Sequence, residues 1–369
     1  MEISLLLIAA TLFLAFANGA NDNFKGVATL YGSRTLARRP ALLWATITTL
    51  AGSLTAAWLA TALIELFSGK GLVPDTLVGD PGFMLAVLSG AAATVMLAAR
   101  IGIPISTTHA LTGALVGAGL AATGGHVHWN VLLGSYFWPL LVSPLMALVL
   151  AALLYPVLSS VRRKLGIGKE TCVCIGTGEV VPAPDGLVAL RGSLPELKMD
   201  SVEHCREIQR YQGELIGISY QGLIEGLHVL SSGAVSFARG LNDTPKIVGV
   251  ALAASSLHVA WLTFMVALLM GLGGLIGSQR IARTMSDDIT EIQHGPGLVA
   301  NLITSFLVLV ASKWGVPVST THVSCGAIFG IATGSGNADW RLVQGIAGAW
   351  LATLPLAALL AAGVYLAVL

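Results

Sequence analysis

Two short stretches place charge where the surrounding sequence is apolar. GANDNFKG (19–26) holds Asp22 and Lys25 at the end of a run that is otherwise nearly all hydrophobic. GLNDTPKI (240–247) repeats the arrangement with Asp243 and Lys246. An ionisable side chain at the centre of a bilayer costs about 2.5–3.5 kcal/mol on insertion scales, so it signals function. Asp22 and Asp243 must therefore face protein, water or a cation. Asn21, Asn23 and Asn242 add side-chain oxygens. Gly19, Gly26 and Gly240 are expected to let the backbone unwind, freeing carbonyls as further ligands. Such a set suits Na⁺ or a carboxyl that takes up a proton. The competing reading puts the motifs at a membrane surface.

A second pair of motifs suits an anion. PISTTHA (104–110) and PVSTTHV (317–323) each begin with proline, which fits a first helical turn because its missing N–H costs nothing there. Ser106, Thr107 and Thr108, and Ser319, Thr320 and Thr321, follow at once. A helix start carries free N–H groups and the positive end of the dipole, and three hydroxyls add donors. Two such starts meeting at the midplane would hold one oxyanion between them. The alternative is plain capping of two membrane helices. Arg239, where the first half has Asn18, adds a fork of donors for an oxyanion or serves as a capping arginine. His109 and His322 close the two runs as orienting, titrating or structural histidines. Glu225, in the helix before the second motif, is a secondary candidate for proton relay.

These motifs need a membrane scaffold, and the composition supplies one. The chain has 369 residues, 55% hydrophobic and only 11% charged, where a soluble domain carries about 25% charge. Its mean hydropathy is +0.80. The reading is an all-α polytopic membrane protein. A net charge of +1 gives no sign of a nucleic-acid partner. The first apolar run follows Glu2 without a basic region, so it reads as a retained helix rather than a signal peptide.

Apolar segments fall into five, a polar insert, and five more. The expected organisation is a first transmembrane repeat over 1–158, a cytoplasmic insert over 159–214 and a second repeat over 215–369. The two motifs recur in the same order, with 87 residues from Asp22 to His109 and 79 from Asp243 to His322. Two motifs repeated in order mark an internal repeat. An odd number of spans per repeat makes the two inverted. GSRTLARRP (32–40) carries Arg34, Arg38 and Arg39, while its counterpart AASSLH (253–258) carries no Lys or Arg. Basic loops stay cytoplasmic, so the first loop and the insert are expected inside and both termini outside. Inverted repeats with broken helices are the plan of many secondary transporters.

In the insert, ETCVCIGTGEV (170–180) and VPAPDGLVALRG (181–192) read as short strands and turns. Cys172, Cys174, His204 and Cys205 offer a weak zinc set with no standard spacing. No cofactor is expected.

The paired ND and STTH motifs resemble those of the inorganic phosphate transporter (PiT) family, across both halves outside 160–212. The resemblance implies an inverted-repeat fold, a homodimer in the cell membrane, and inward phosphate transport driven by a cation gradient. It implies phosphate binding by Ser106, Thr107, Thr108, Ser319, Thr320 and Thr321. Asn21, Asp22, Asn242 and Asp243 would serve the anion and its coupling cations. One departure stands out. The family's common motif resembles GANDxxNA, and its second asparagine is Lys25 here and Lys246 in the second half. A built-in ammonium would do what Na⁺ does, neutralising an aspartate and attracting the anion, but it cannot leave. Coupling to H⁺ is then favoured over Na⁺. The competing reading lets each lysine snorkel to an interface. Sulfate permeation and an uncoupled anion channel are the alternative functions. No nucleophile–base pair or ATP-binding motif suggests an enzyme or a primary pump.

Overall fold

The computed structural model describes residues 2–167, 171–176, 179–182, 188–191, 196–201, 216–285, 293–335 and 340–368. Its helical body begins with α1 (Glu2–Asp22), which passes into a 3₁₀ turn (Asn23–Val27) and the short α2 (Ala28–Gly32). Then come α3 (Arg38–Leu59), α4 (Thr61–Leu66), α5 (Pro81–Ile101) and α6 (Thr107–Thr123). The half closes with α7 (Trp129–Val131), a π-helical stretch (Leu132–Phe137) and α8 (Trp138–Lys164). The second half runs α9 (Tyr220–Ala253), α10 (Val259–Gly277), α11 (Gln279–Arg283), α12 (His294–Lys313), α13 (Thr320–Ser335) and α14 (Trp340–Val368). Seven helices among the described residues are long and apolar enough to cross a membrane. The helices α6 and α13 have 17 and 16 residues, short of the ~20 that a full span takes.

Local chemistry sets the ends of these helices. Asp80 caps α5 by accepting from the Phe83 N–H at 2.6 Å, with Pro81 at the first position. Gly102 ends the same helix in the left-handed region, at φ 84°. Ser106 caps α6 by accepting from His109 N–H at 3.1 Å, and Ser319 caps α13 through His322 N–H at 3.3 Å.

The two halves match in sequence at an offset of 221 residues around the ND motifs and 213 around the STTH motifs. In the motif helices Asn18 and Arg239 stand 221 residues apart, as do Asp22 and Asp243. The packing repeats with the same step. A methyl group on Gly19 would overlap the carbonyl of Met270 on α10, and one on Gly240 would overlap the carbonyl of Thr49 on α3. Thr49 and Met270 are themselves 221 apart. So α1 lies on α10, and α9 lies on α3, at contacts only glycine permits. The last helices are exchanged: Gly113 of α6 meets Leu354 of α14, and Gly326 of α13 meets Pro144 of α8.

One expectation for the motifs is corrected. The first motif does unwind, into the 3₁₀ turn after Asp22. The second does not: α9 continues through Gly240 and Pro245 to Ala253. The two motifs also differ in sequence at this turn. Gly26 pairs in the repeat with Ile247, a buried side chain that a helix accommodates. Gly240 supplies close approach rather than a break.

The fold divides into two compact units. One comprises Met1–Leu153 and Val229–Leu369, the other Leu154–His228. Among the described residues the second unit contains five strands, β1 (Thr171–Gly176), β2 (Glu179–Pro182), β3 (Val188–Arg191), β4 (Glu196–Ser201) and β5 (Ile216–Ser219). They form an antiparallel sheet in the order β4-β1-β5 and a β2-β3 pair. The strands expected around 170–192 are therefore present. Cys172 pairs with Asp200 and Cys174 with Lys198 in backbone register. Their side chains, and His204 and Cys205 entirely, lie outside what is described.

Candidate functional site

The four motifs converge within the helical body. Asp22, Lys25, Asp243, Lys246, Arg239, the three asparagines and all six hydroxyls of the STT runs are buried. Neither lysine snorkels: Lys25 is 5% exposed and Lys246 is 0% exposed.

Each ammonium sits in a cage of oxygens. Lys25 Nζ shares its three protons among four oxygens: Asp22 Oδ1 at 2.5 Å, Asn21 Oδ1 at 2.8 Å, the Ile105 carbonyl at 2.7 Å and Thr321 Oγ1 at 2.7 Å. Lys246 Nζ donates to Thr108 Oγ1 at 2.6 Å, the Val318 carbonyl at 2.7 Å and Asp243 Oδ1 at 3.4 Å. The design crosses between halves. Each lysine takes the carbonyl just before its own half's STTH run and the second threonine of the other half. The free carbonyls therefore come from the stretches leading into α6 and α13, not from the ND motifs. Thr108 Oγ1 also donates to the Val318 carbonyl at 3.2 Å, and Thr321 Oγ1 to the Ile105 carbonyl at 3.1 Å. These two threonines thus fasten the lysines and the opposed helix starts together.

The asparagines brace the cages. Asn21 Nδ2 donates to the Ile103 carbonyl at 3.1 Å, and the Ile105 N–H donates back to Asn21 Oδ1 at 3.3 Å. Asn242 Nδ2 donates to Asp243 Oδ1 at 3.0 Å and to the Val318 carbonyl at 3.1 Å, while the Ser312 hydroxyl is shared between the Val308 carbonyl at 2.7 Å and Asn242 Oδ1 at 3.2 Å.

The carboxylates are joined through Asn18. Its Nδ2 lies 3.0 Å from Asp22 Oδ2 and 3.3 Å from Asp243 Oδ2. Thr107 Oγ1 donates to Asp22 Oδ2 at 3.0 Å. Arg239, the repeat mate of Asn18, donates to Asn18 Oδ1 at 3.2 Å, to Asn23 Oδ1 at 3.0 Å and to Thr49 Oγ1 at 2.9 Å. Both terminal nitrogens of Arg239 are thus engaged within the protein. Its Nε has no partner among the described residues. Asn23 donates to Thr46 Oγ1 at 2.9 Å and ties the end of α1 to α3 rather than joining a lysine cage.

Three hydroxyls of the STT set remain able to donate. Ser106 and Ser319 accept from backbone N–H groups, and their own protons have no acceptor among the described residues. Thr320 makes no side-chain hydrogen bond there, although its counterpart Thr107 does. Behind these hydroxyls the His109 and His322 rings lie 4.5 Å apart, and Trp350 stacks on His322 at 3.8 Å. Among these side chains three cationic groups face two carboxylates, so the site as a whole favours an anion.

Glu225 lies in the other compact unit, half-buried, and accepts from Gln221 Nε2 at 3.0 Å. Sequence reasoning missed Asn18, Thr49 and the two carbonyls. Asn18 had one visible signal: it occupies the position of Arg239 in the repeat. Carbonyl ligands leave no trace in side-chain identity.

The chain is similar to known proteins over nearly its whole length. The model of the phosphate transporter family matches residues 18–361. A probable low-affinity inorganic phosphate transporter of Mycobacterium leprae is 28% identical, covering 99% of this chain and 79% of the relative. The protein of the same description from Mycobacterium tuberculosis strain H37Rv is 30% identical over 99% of this chain and 78% of its own. One from Bacillus subtilis is 25% identical over 98% and 96%. A solved structure, the sodium-dependent phosphate transporter, shares the fold with a TM-score of 0.76 at 20% identity, covering 100% of this chain and 99% of its own. A family match spanning both motif pairs settles the kinship: this chain is a multi-pass membrane protein and a non-enzymatic member of the phosphate transporter family.

Proposed function

We propose that this protein is a secondary active transporter for inorganic phosphate, coupled to protons in preference to Na⁺. The observation that carries the reading is the pair of oxygen cages. Carboxylate, amide, hydroxyl and carbonyl oxygens converge on a point in each half, which is the ligand chemistry of a hard cation. Here each point is filled by Lys25 or Lys246 Nζ. The positive charge that an ion would bring and take away is thus fixed in the chain.

Phosphate is proposed to lie between the starts of α6 and α13. Ser106, Ser319 and Thr320 donate to it, and the helix N-termini, Lys25, Lys246 and Arg239 supply the positive field. Entry of the anion draws on Thr107, Thr108 and Thr321, whose hydroxyls now bind Asp22 and the two carbonyls. Loosening those bonds frees the aspartates to change partners. The Asp22–Lys25 and Asp243–Lys246 pairs are the proposed seat of the transported proton, since a proton can be taken up there without importing a metal ion. Phosphate is preferred to sulfate because it retains a proton to share with a carboxylate near neutral pH. The loop of Arg34, Arg38 and Arg39 is proposed to face the cytoplasm of a cell-membrane protein, a reading the positive-inside rule supports.

Labelled phosphate uptake into proteoliposomes, with H⁺ and Na⁺ gradients imposed separately, tests this. The wild type is expected to respond to H⁺ and to ignore Na⁺. The double variant Lys25→Asn/Lys246→Asn is expected to become strongly Na⁺-dependent. Wild-type uptake that requires Na⁺ would remove the surrogate-cation role. Equal competition by sulfate would move the substrate assignment.

A further inference from the structure

The repeat offset exposes an asymmetry away from the central site. Tyr31, Arg38, Gln279, Ala282 and Arg283 line a cavity of about 160 Å³, several times the ~30 Å³ that one water occupies in the liquid. Arg38 is half-buried and Arg283 exposed. Neither has a carboxylate partner among the described residues. Shifted by 221 residues, Tyr31 becomes Leu252, Arg38 becomes Val259, Gln279 becomes Trp58 and Arg283 becomes Ala62. Ala282 becomes Thr61, so the corresponding place in the other orientation carries no charge and one hydroxyl. The helical scaffold therefore does not require these arginines.

The same asymmetry runs from the cavity to the central site. Asn301 Nδ2 donates to Ser232 Oγ at 2.7 Å, Thr29 Oγ1 at 3.0 Å and Ser231 Oγ at 3.3 Å. Thr29 shares α2 with Tyr31 of the cavity. Ser232 lies one turn from Ser236 on α9, whose carbonyl accepts from Thr49 Oγ1 at 3.2 Å, and Thr49 holds Arg239. The Oγ of Ser236 is buried with no partner among the described residues. The repeat mates of Thr29, Ser231 and Ser236 are Val250, Ala10 and Ala15. Asn301, 213 positions after Leu88 in the offset that relates Pro104 to Pro317, replaces a leucine. Ser232 alone of this row has a polar mate, Thr11, so this is the more polar of the two approaches to the central site.

We infer that the cavity between Arg38 and Arg283 is a second, peripheral oxyanion site, taking a phosphate-type group at the mouth of the polar approach. Two guanidinium groups present forks of N–H donors suited to that group, and Gln279 and Tyr31 add neutral donors. The ligand chemistry is shared by free inorganic phosphate and by an anionic lipid headgroup. The ligand class rests on the proposed phosphate function, whereas the existence of the site rests on the cavity and its arginines.

The test counts labelled inorganic phosphate bound at equilibrium to the full-length protein in nanodiscs. In phosphatidylcholine discs the wild type is expected to show a central and a weaker peripheral class. Arg38→Gln/Arg283→Gln is expected to weaken the peripheral class by about tenfold or more, the equivalent of one charge-assisted hydrogen bond, and to leave the central class in place. Arg34→Gln/Arg39→Gln, which removes charge from the same loop but not from the cavity, is expected to change neither. Discs containing phosphatidic acid separate the sources. Loss of the peripheral class there identifies a headgroup as the occupant, and its persistence identifies free phosphate. Identical binding by wild type and Arg38→Gln/Arg283→Gln in phosphatidylcholine discs overturns the site. Loss of only the central class in every protein would sink the proposed function and leave this site standing.

Discussion

The two lysine cages occupy equivalent places in the repeat, yet they are not equally tight. Lys25 reaches four oxygens and lies 2.5 Å from Asp22, in a turn where the helix has opened. Lys246 reaches three and lies 3.4 Å from Asp243, on a helix that stays continuous. Asp22 also has Thr107, while Thr320 makes no matching bond to Asp243. The lesson concerns what duplication preserves. The contacts of backbone with glycine keep the repeat step faithfully, while the polar partners diverge. Mobility of the site during transport is therefore expected in the second half, where the ion pair is longer and its hydroxyl uncommitted.

The largest test of this comparison removes each carboxylate. Breaking a buried ion pair costs roughly 3–5 kcal/mol because the remaining charge is stranded. Asp22→Asn is expected at the upper end and Asp243→Asn at the lower, read by thermal unfolding in detergent. Equal losses would erase the distinction between cages. Next, Arg239→Asn restores the residue of the first half and removes donors to Asn18, Asn23 and Thr49. Hydrogen bonds to charged groups contribute about 1.5–3 kcal/mol each, so phosphate affinity should fall by at least tenfold in a binding assay. Unchanged affinity would show that Asn18 needs no such anchor. The glycine contacts supply a control for the symmetric part. Gly19→Ala and Gly240→Ala each force a methyl into a carbonyl and should destabilise by about 1–3 kcal/mol, to a similar degree. A large difference between them would mean that the scaffold itself has diverged. The smallest effect belongs to the hydroxyls. Thr107→Val should lower stability by about 1 kcal/mol and Thr320→Val by less, while the latter reduces phosphate binding more.

Much of this was legible in the sequence, for identifiable reasons. Charge in an apolar run located Asp22, Lys25, Asp243 and Lys246, because a bilayer makes buried charge conspicuous. The STTH repeat located both helix starts, because proline and serine are strong punctuation. The strands near 170–192 followed from local turn residues. Three features were not legible. Gly240 looked like a point of unwinding, but a glycine reads the same whether it frees the backbone or admits a neighbour. Glu225 stands close to the motif in sequence, which does not tell which compact unit holds it. The carbonyls of Ile105 and Val318 became ligands through chain geometry, and no side chain announces that.

The exchanged packing of the last helices bears on how the protein is made. Gly113 of α6 fits against Leu354 of α14, and Gly326 of α13 fits against Pro144 of α8. Synthesis delivers α6 to the bilayer more than 200 residues before its partner exists. Until α14 emerges, the glycine face of α6 lies open to lipid, which fills it poorly. Neither half can then mature alone, and a chain truncated before α14 should be recognised by membrane quality control as unfinished even though every residue of both motifs is present.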